Sequence, residues 1–168
     1  MKVLGIDQSY SGCGLMLLDE NGIVASELFK ADKKKNKFDQ AFQIASQIGV
    51  FCLSNEPDWI YLEGLAFGMV GNATRDLAGL QFVIVVHLTH QSGYGNRVDV
   101  IPPTVVKKIA TGKGNSKKEE LYESLPVNVK EYITSTGVKK TTGRSDLTDA
   151  YWLAYYGLEN TKCYPIKM

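Results

Sequence analysis

Two short apolar runs each end on an acid: Val3-Leu4-Gly5-Ile6 leads into Asp7, and Trp59-Ile60-Tyr61-Leu62 leads into Glu63. Runs this short, rich in branched and aromatic side chains, favour buried strands, so both acids stand at strand ends. A second pair, Asp146 and Asp149, lies three residues apart just ahead of Ala150-Tyr151-Trp152-Leu153-Ala154, where a helix is expected to start. Two strand ends and one helix start can present all four carboxylates together. Such a cluster repels itself unless divalent cations share it, and paired cations bridging a phosphate are a standard means of phosphodiester hydrolysis. These residues read as a metal-dependent nuclease.

The order of elements gives the frame. Residues 2–6 and 14–18 are apolar runs joined by a small, polar segment, and Asp19-Glu20-Asn21-Gly22 is a strong turn before Ile23-Val24-Ala25. This predicts a three-stranded antiparallel meander. Apolar residues then recur with helical spacing at Phe38, Phe42, Ala45, Ile48 and Cys52, giving a helix from about Lys37 to Leu53, and Pro57 precedes the strand that ends at Glu63. Residues 72–91 carry Leu77, Leu80, Val83, Ile84, Val85, Val86 and Leu88, too broad an apolar surface for one packed face. A helix buried on two sides is expected there. A strand at residues 97–101 stops at Pro102-Pro103, and a short helix over 105–110 follows, with Thr104 as its cap. Thr111-Gly112-Lys113-Gly114-Asn115 reads as a loop, and Ser116-Lys117-Lys118-Glu119 as a capping box opening a helix to about Leu125. Ser145 and Thr148 stand before the last helix, which ends near Gly157. The order β-β-β-α-β-α-β-α-α-α implies an α/β fold, a mixed sheet flanked by helices.

Length and charge narrow the reading. The 168 residues, 44% of them apolar, fill one core and not two, so a single domain over residues 1–168 is expected. The formal charge is +1, from 19 basic and 18 acidic residues, which excludes an indiscriminate polycation. Residues 102–145 hold nine basic residues, among them Lys107, Lys108, Lys113, Lys117 and Lys118, against four acidic ones. A basic surface beside an acidic pocket follows, suited to nucleic acid. Cys13, Cys52 and Cys163 are odd in number and widely spaced, so neither a disulfide framework nor a zinc site is expected. With no signal peptide and no apolar stretch near the ~20 residues of a membrane span, the expected home is the cytoplasm or another reducing compartment that holds DNA, and not the secreted space.

Gly5-Ile6-Asp7, the Leu62-Glu63 strand end, the segment from Thr111 through Gly112, Gly114 and Lys118 to Glu120, and Asp146-Leu147-Thr148-Asp149-Ala150 resemble, in order and approximate spacing, the motifs of the RuvC Holliday junction resolvases of the ribonuclease H-like superfamily. The resemblance covers essentially the whole chain. It implies a ribonuclease H-like sheet and a homodimer that nicks opposed strands of a four-way DNA junction, leaving 5′-phosphate and 3′-hydroxyl ends. It also implies two Mg²⁺ or Mn²⁺ ions per active site held by Asp7, Glu63, Asp146 and Asp149, with Lys118 as the catalytic lysine and Lys107 as a DNA contact. Phe67 falls near an aromatic of the family that stacks on unpaired bases at the junction centre. Lys108, Lys113 and Lys117 extend the DNA surface, and the broad apolar face of residues 72–91 would supply the dimer contact.

The chain departs from the family at Gly64 and Gly68, and in the Lys- and Thr-rich stretch 122–144. Either departure would alter substrate preference, so a broader branched-DNA or flap endonuclease stays open, as does a catalytically silent junction-binding protein. Gly5-Ile6-Asp7 also occurs in sugar-kinase-like ATPases, but that architecture needs a second half that 168 residues do not hold. His87 and His90 have no neighbouring carboxylate in the sequence and read as structural.

Overall fold

The computed structural model describes residues 1–65, 71–140 and 143–161. Strands β1 (Val3–Asp7), β2 (Cys13–Asp19) and β3 (Gly22–Phe29) form the expected antiparallel meander. Strand β4 (Trp59–Glu63) pairs parallel with β1, Ile6 opposite Leu62, and β5 (Val98–Ile101) pairs parallel with β4, Glu63 opposite Ile101. The order across the sheet is β3-β2-β1-β4-β5. In this topology β1, β3, β4 and β5 all end at one edge, so Asp7 and Glu63 finish neighbouring strands side by side.

Parallel pairs need crossovers, and helices supply them. Helix α1 (Lys37–Asn55) links β3 to β4, and α2 (Asn72–Val86), prolonged by a π-helical turn at His87–Gln91, links β4 to β5. Strand side chains alternate between faces. Leu4, Ile6, Leu15, Leu17, Ile60 and Leu62 therefore pack with Ile44 and Ile48 of α1 and Leu80 and Ile84 of α2. Val3, Met16, Leu18 and Tyr61 point the other way, onto the helices that follow β5. Both faces are covered, which is why these strands are nearly continuous apolar runs.

Several local expectations are corrected. Helix α1 runs on to Asn55, its first turn capped by the Asn36 side chain, which accepts the Asp39 amide. Residues 72–91 are buried on one side only within the chain: Leu80, Ile84 and Leu88 are fully buried, but Phe82 is 71% exposed. Helix α3 (Pro103–Thr111) starts with proline in its first turn, so Thr104 lies inside it and is not the cap. The Ser116 capping box does not form. Its hydroxyl bonds instead to the Thr111 hydroxyl and the Lys113 carbonyl, closing the glycine loop, and helix α4 (Lys118–Glu123) begins after it. Helix α5 (Val127–Ser135) was not anticipated. Its buried residues, Val129 and Ile133, follow Leu125 at four-residue intervals, a signal interrupted by Pro126 and diluted by Asn128, Lys130, Glu131 and Thr134. Helix α6 (Arg144–Thr161) takes Ser145 into its first turn and runs past Gly157, and the Thr148 hydroxyl bonds to the Arg144 carbonyl.

Candidate functional site

Helix α6 lies directly on β1. A Cβ on Gly5 would collide with the main chain of Ala150 and Ala154, so only glycine lets the helix sit this close. That seat carries the first turns of α6 to the end of β1 and buries Asp149, 6% exposed, beside Asp7, 8% exposed. Asp146 faces the β1–β2 connection, where a Cβ on Gly12 would stand 2.5 Å from its Oδ2, and Ser145 Oγ donates to its Oδ1 at 3.3 Å. Glu63 arrives on β4. Helix α4 brings Lys118 Nζ to 3.7 Å from Asp149 Oδ2.

The electrostatics show that the four acids share one field. Burial pushes the Asp7 carboxyl well above the usual carboxylate range, and Asp149, Glu63 and Asp146 push it further, with only Lys118 opposing. Glu63 is pushed up to about 7 by burial and by Asp149, held back by Lys118 and Lys107. Asp149 is pushed up to about 6, chiefly by burial, with Lys118 opposing and Asp146 adding. Burial works against the Lys118 charge, but Asp149, Asp7, Asp146 and Glu63 outweigh it, and the ammonium is stabilised above its ordinary value. A site where three acids hold protons too tightly lacks positive charge.

A cleft of about 320 Å³ opens here, lined by Glu63, Asp149, Lys107 and Lys118 above the apolar side chains of Leu77 and Leu121. Lys107 is half-buried, whereas Lys108, Lys113 and Lys117 are exposed and do not line the cleft. Phe67 lies outside the described residues. His87 packs against Gly49 of α1, on the side of the sheet covered by α1 and α2, and His90 is exposed. Sequence reasoning missed three contributors. Gln8 Nε2 and Gln81 Nε2 both donate to the Glu63 carbonyl, at 2.6 and 2.8 Å, pinning the end of β4 from the residue just past β1 and from α2. Glu119, next to Lys118, is gripped by Arg144 at 2.7 Å and Lys140 at 3.1 Å, which ties α4 to the start of α6. Glu119 stood in the sequence only as a capping-box acid, and nothing in the sequence marked Gln8 or Gln81 as clamps on Glu63.

The donor set suits a hard divalent cation, since all four candidate ligands are carboxylates. Among the described residues no group of three or more acidic, histidine or cysteine side chains is drawn into a finished metal cage. Burial, with the neighbouring acids adding, raises the proton affinity of Asp7, Glu63 and Asp149, and added positive charge is favoured beside them.

No protein-family model matches the chain. It is 26% identical over 166 residues to a crossover junction endodeoxyribonuclease RuvC of Sulfurovum sp. (strain NBC37-1), covering 96% of this chain and 98% of that one. It is 27% identical over 158 residues to the RuvC enzyme of Aliarcobacter butzleri (strain RM4018), covering 92% and 96%. The chain is RuvC-like. Its fold matches Thermus thermophilus RuvC in complex with a Holliday junction substrate, with a TM-score of 0.71 at 21% identity over 96% of this chain and 97% of that one. The yeast mitochondrial Holliday junction resolvase Ydc2 matches with a TM-score of 0.60 at 14% identity, over 90% of this chain and 75% of the other. The ribonuclease H-like mixed sheet read from the sequence is thus the fold observed.

Proposed function

We propose that this RuvC-like chain, one nuclease domain over residues 1–168, is a metal-dependent endonuclease that resolves four-way DNA junctions by paired nicks on opposed strands, leaving 5′-phosphate and 3′-hydroxyl ends. The observation that carries the reading is the convergence of Asp7, Glu63 and Asp149 from three separate elements, with Lys118 3.7 Å from Asp149. Asp7, Glu63, Asp146 and Asp149 would hold two Mg²⁺ or Mn²⁺ ions. Bound there, such ions supply Lewis-acid activation of water and neutralise charge on the leaving 3′ oxygen.

The chain's own residues do the rest. Lys118 stays protonated and exposed at the rim, placed to neutralise charge that develops on the phosphate in the transition state. Lys107, in the same cleft, is placed to hold a phosphate and orient the strand. Lys108, Lys113 and Lys117 extend that contact outward. Gln8 and Gln81 fix the end of β4, so that Glu63 is presented in one orientation. The protein acts as a homodimer, and the exposed Phe82 of α2 supports a self-contact on that helix.

Among the described residues no helix is long and apolar enough to cross a membrane. Cys13 and Cys52 are free and buried, with burial raising both thiols, which suits a reducing compartment that holds DNA.

A second reading, a broader branched-DNA nuclease, is favoured by the stretch 122–144, which departs from the family and carries α5. Incubating the protein with a labelled immobile junction, a flap and a plain duplex in Mg²⁺ or Mn²⁺ separates the two. Cutting confined to the junction supports resolution; equal cutting of the flap supports the broader enzyme.

A further inference from the structure

A groove of about 580 Å³, larger than the carboxylate cleft, runs between the end of β3 and the segment joining α5 to α6. Lys30 and Lys139 line it, together with the apolar side chains of Leu28, Val138 and Leu147. Leu147 directly follows Asp146, so the groove reaches the same helix turn that bears two of the acids. The sheet register gives its distance. Phe29 pairs with Cys13 on β2, and Asp7 pairs with the adjacent Gly14, so the end of β3 lies two strands from Asp7, on the order of 10 Å at normal strand spacing.

Beyond Phe29 the chain reads Lys30-Ala31-Asp32-Lys33-Lys34-Lys35, with all four lysines exposed. Asp32 is the one acid of that run, and its carboxylate is engaged by the Lys34 amide as a turn former. Glu27 is the one acid among the groove's lining residues. The patch therefore carries a clear positive excess. It lies on the β3 side of the carboxylates, whereas Lys107, Lys108, Lys113 and Lys117 all follow β5, at the opposite end of the strand order. A duplex or single strand crossing the acids must leave them on both sides, and an acidic centre between two basic flanks is the charge pattern that accommodates a polyanion through its length.

We propose that Lys30, Lys33, Lys34 and Lys139 form a second phosphate track, which holds the DNA arm leaving the active site on the β3 side. The inference rests on the nuclease reading and deepens it: the substrate is gripped on both sides of the cut, and the β3 track reads backbone phosphate and not base sequence. These lysines touch no carboxylate of the site, so they govern affinity and leave the chemical step alone.

The test is binding of the full-length protein to a labelled four-way junction in EDTA, across a salt series, for the wild type and the variant Lys30→Ala/Lys33→Ala/Lys34→Ala/Lys139→Ala. Each lost phosphate contact reduces the slope of log affinity against log salt by about 0.9. The alanine variant should show a slope shallower by about 3.6 and, at moderate salt, affinity lower by at least about tenfold, with turnover at saturating junction retained. Arginine at the same four positions should restore the slope, and unchanged thermal midpoints exclude unfolding as the cause. Lys33→Glu/Lys34→Glu, confined to the exposed loop, should weaken binding further. An alanine variant with wild-type slope and affinity overturns the second track while leaving the nuclease reading intact. A wild type that neither binds nor cuts branched DNA overturns both.

Discussion

Replacing Glu63 by Gln should make the metal-free protein more stable at pH 8 while abolishing cleavage. In the fold Glu63 holds its proton up to about pH 7, against 4.5 for the ordinary side chain. The sign follows from linkage: the folded state binds the proton more tightly than the unfolded chain, so this group's stabilising contribution is complete below pH 4.5 and is lost as pH rises to 7. At about 1.4 kcal/mol per pH unit, the displacement amounts to about 3 kcal/mol of destabilisation at pH 8. A buried amide keeps part of the desolvation cost, so Glu63→Gln should recover roughly 1 to 3 kcal/mol. Asp149 shares the repulsion, and the gains from neutralising both acids will not add. Urea unfolding in EDTA reads the effect: at a slope of about 2 kcal/mol per molar, the midpoint of the variant should rise by about 1 M at pH 8 and coincide with the wild type near pH 4.5. Adding Mg²⁺ should stabilise the wild type more than the variant. A Glu63→Gln protein less stable than wild type at pH 8 would mean that the carboxylate is a structural partner and that neither its burial nor the charge of Asp149 costs stability.

Other expectations bear on separate parts of the site. Lys118→Met should lower turnover by orders of magnitude with little change in junction affinity, since the lysine lies at the cleft and not on the outer DNA surface; a turnover unchanged in single-turnover kinetics would remove its catalytic role. Gln8→Ala and Gln81→Ala should each cost about 1 kcal/mol of stability and lower kcat more than they raise KM, and a double-mutant cycle should show coupling because both amides share the Glu63 carbonyl. Independent effects on kcat would contradict a shared clamp. Gly5→Ala should destabilise by about 2 kcal/mol or more by lifting α6 off β1, measured by thermal unfolding; a neutral substitution would show that α6 can shift without cost.

The strands and their terminal acids were legible because their signals are local. A five-residue apolar run declares itself, and an acid at its end is placed by the same run, as with Ile6-Asp7 and Leu62-Glu63. The glycine loop with Lys118 and the Asp146/Asp149 pair were legible through their spacing and the family resemblance. What escaped depends on contacts distant in sequence. Helix α5 hid because its two buried residues sit among Asn128, Lys130, Glu131 and Thr134 just after Pro126, and only packing against the rest of the core selects that face. The Ser116 box failed because the hydroxyl found better partners within the glycine loop. The clamp on the Glu63 carbonyl joins residues 55 and 18 positions away, a distance no periodicity reports. The lysines after β3 look like an ordinary solvated loop until the sheet register places them on the edge that bears Asp7.

The central claim is that Asp7, Glu63, Asp146 and Asp149 form one metal-dependent cutting site. The most direct measurement is strand-by-strand mapping of cuts on an immobile four-way junction, for wild type and Asp7→Asn, in Mg²⁺ or Mn²⁺ and in EDTA. Paired nicks on opposed strands that vanish both in EDTA and in Asp7→Asn, while that variant still binds the junction, are the predicted result. Cutting that persists in EDTA or in a folded Asp7→Asn protein would contradict it.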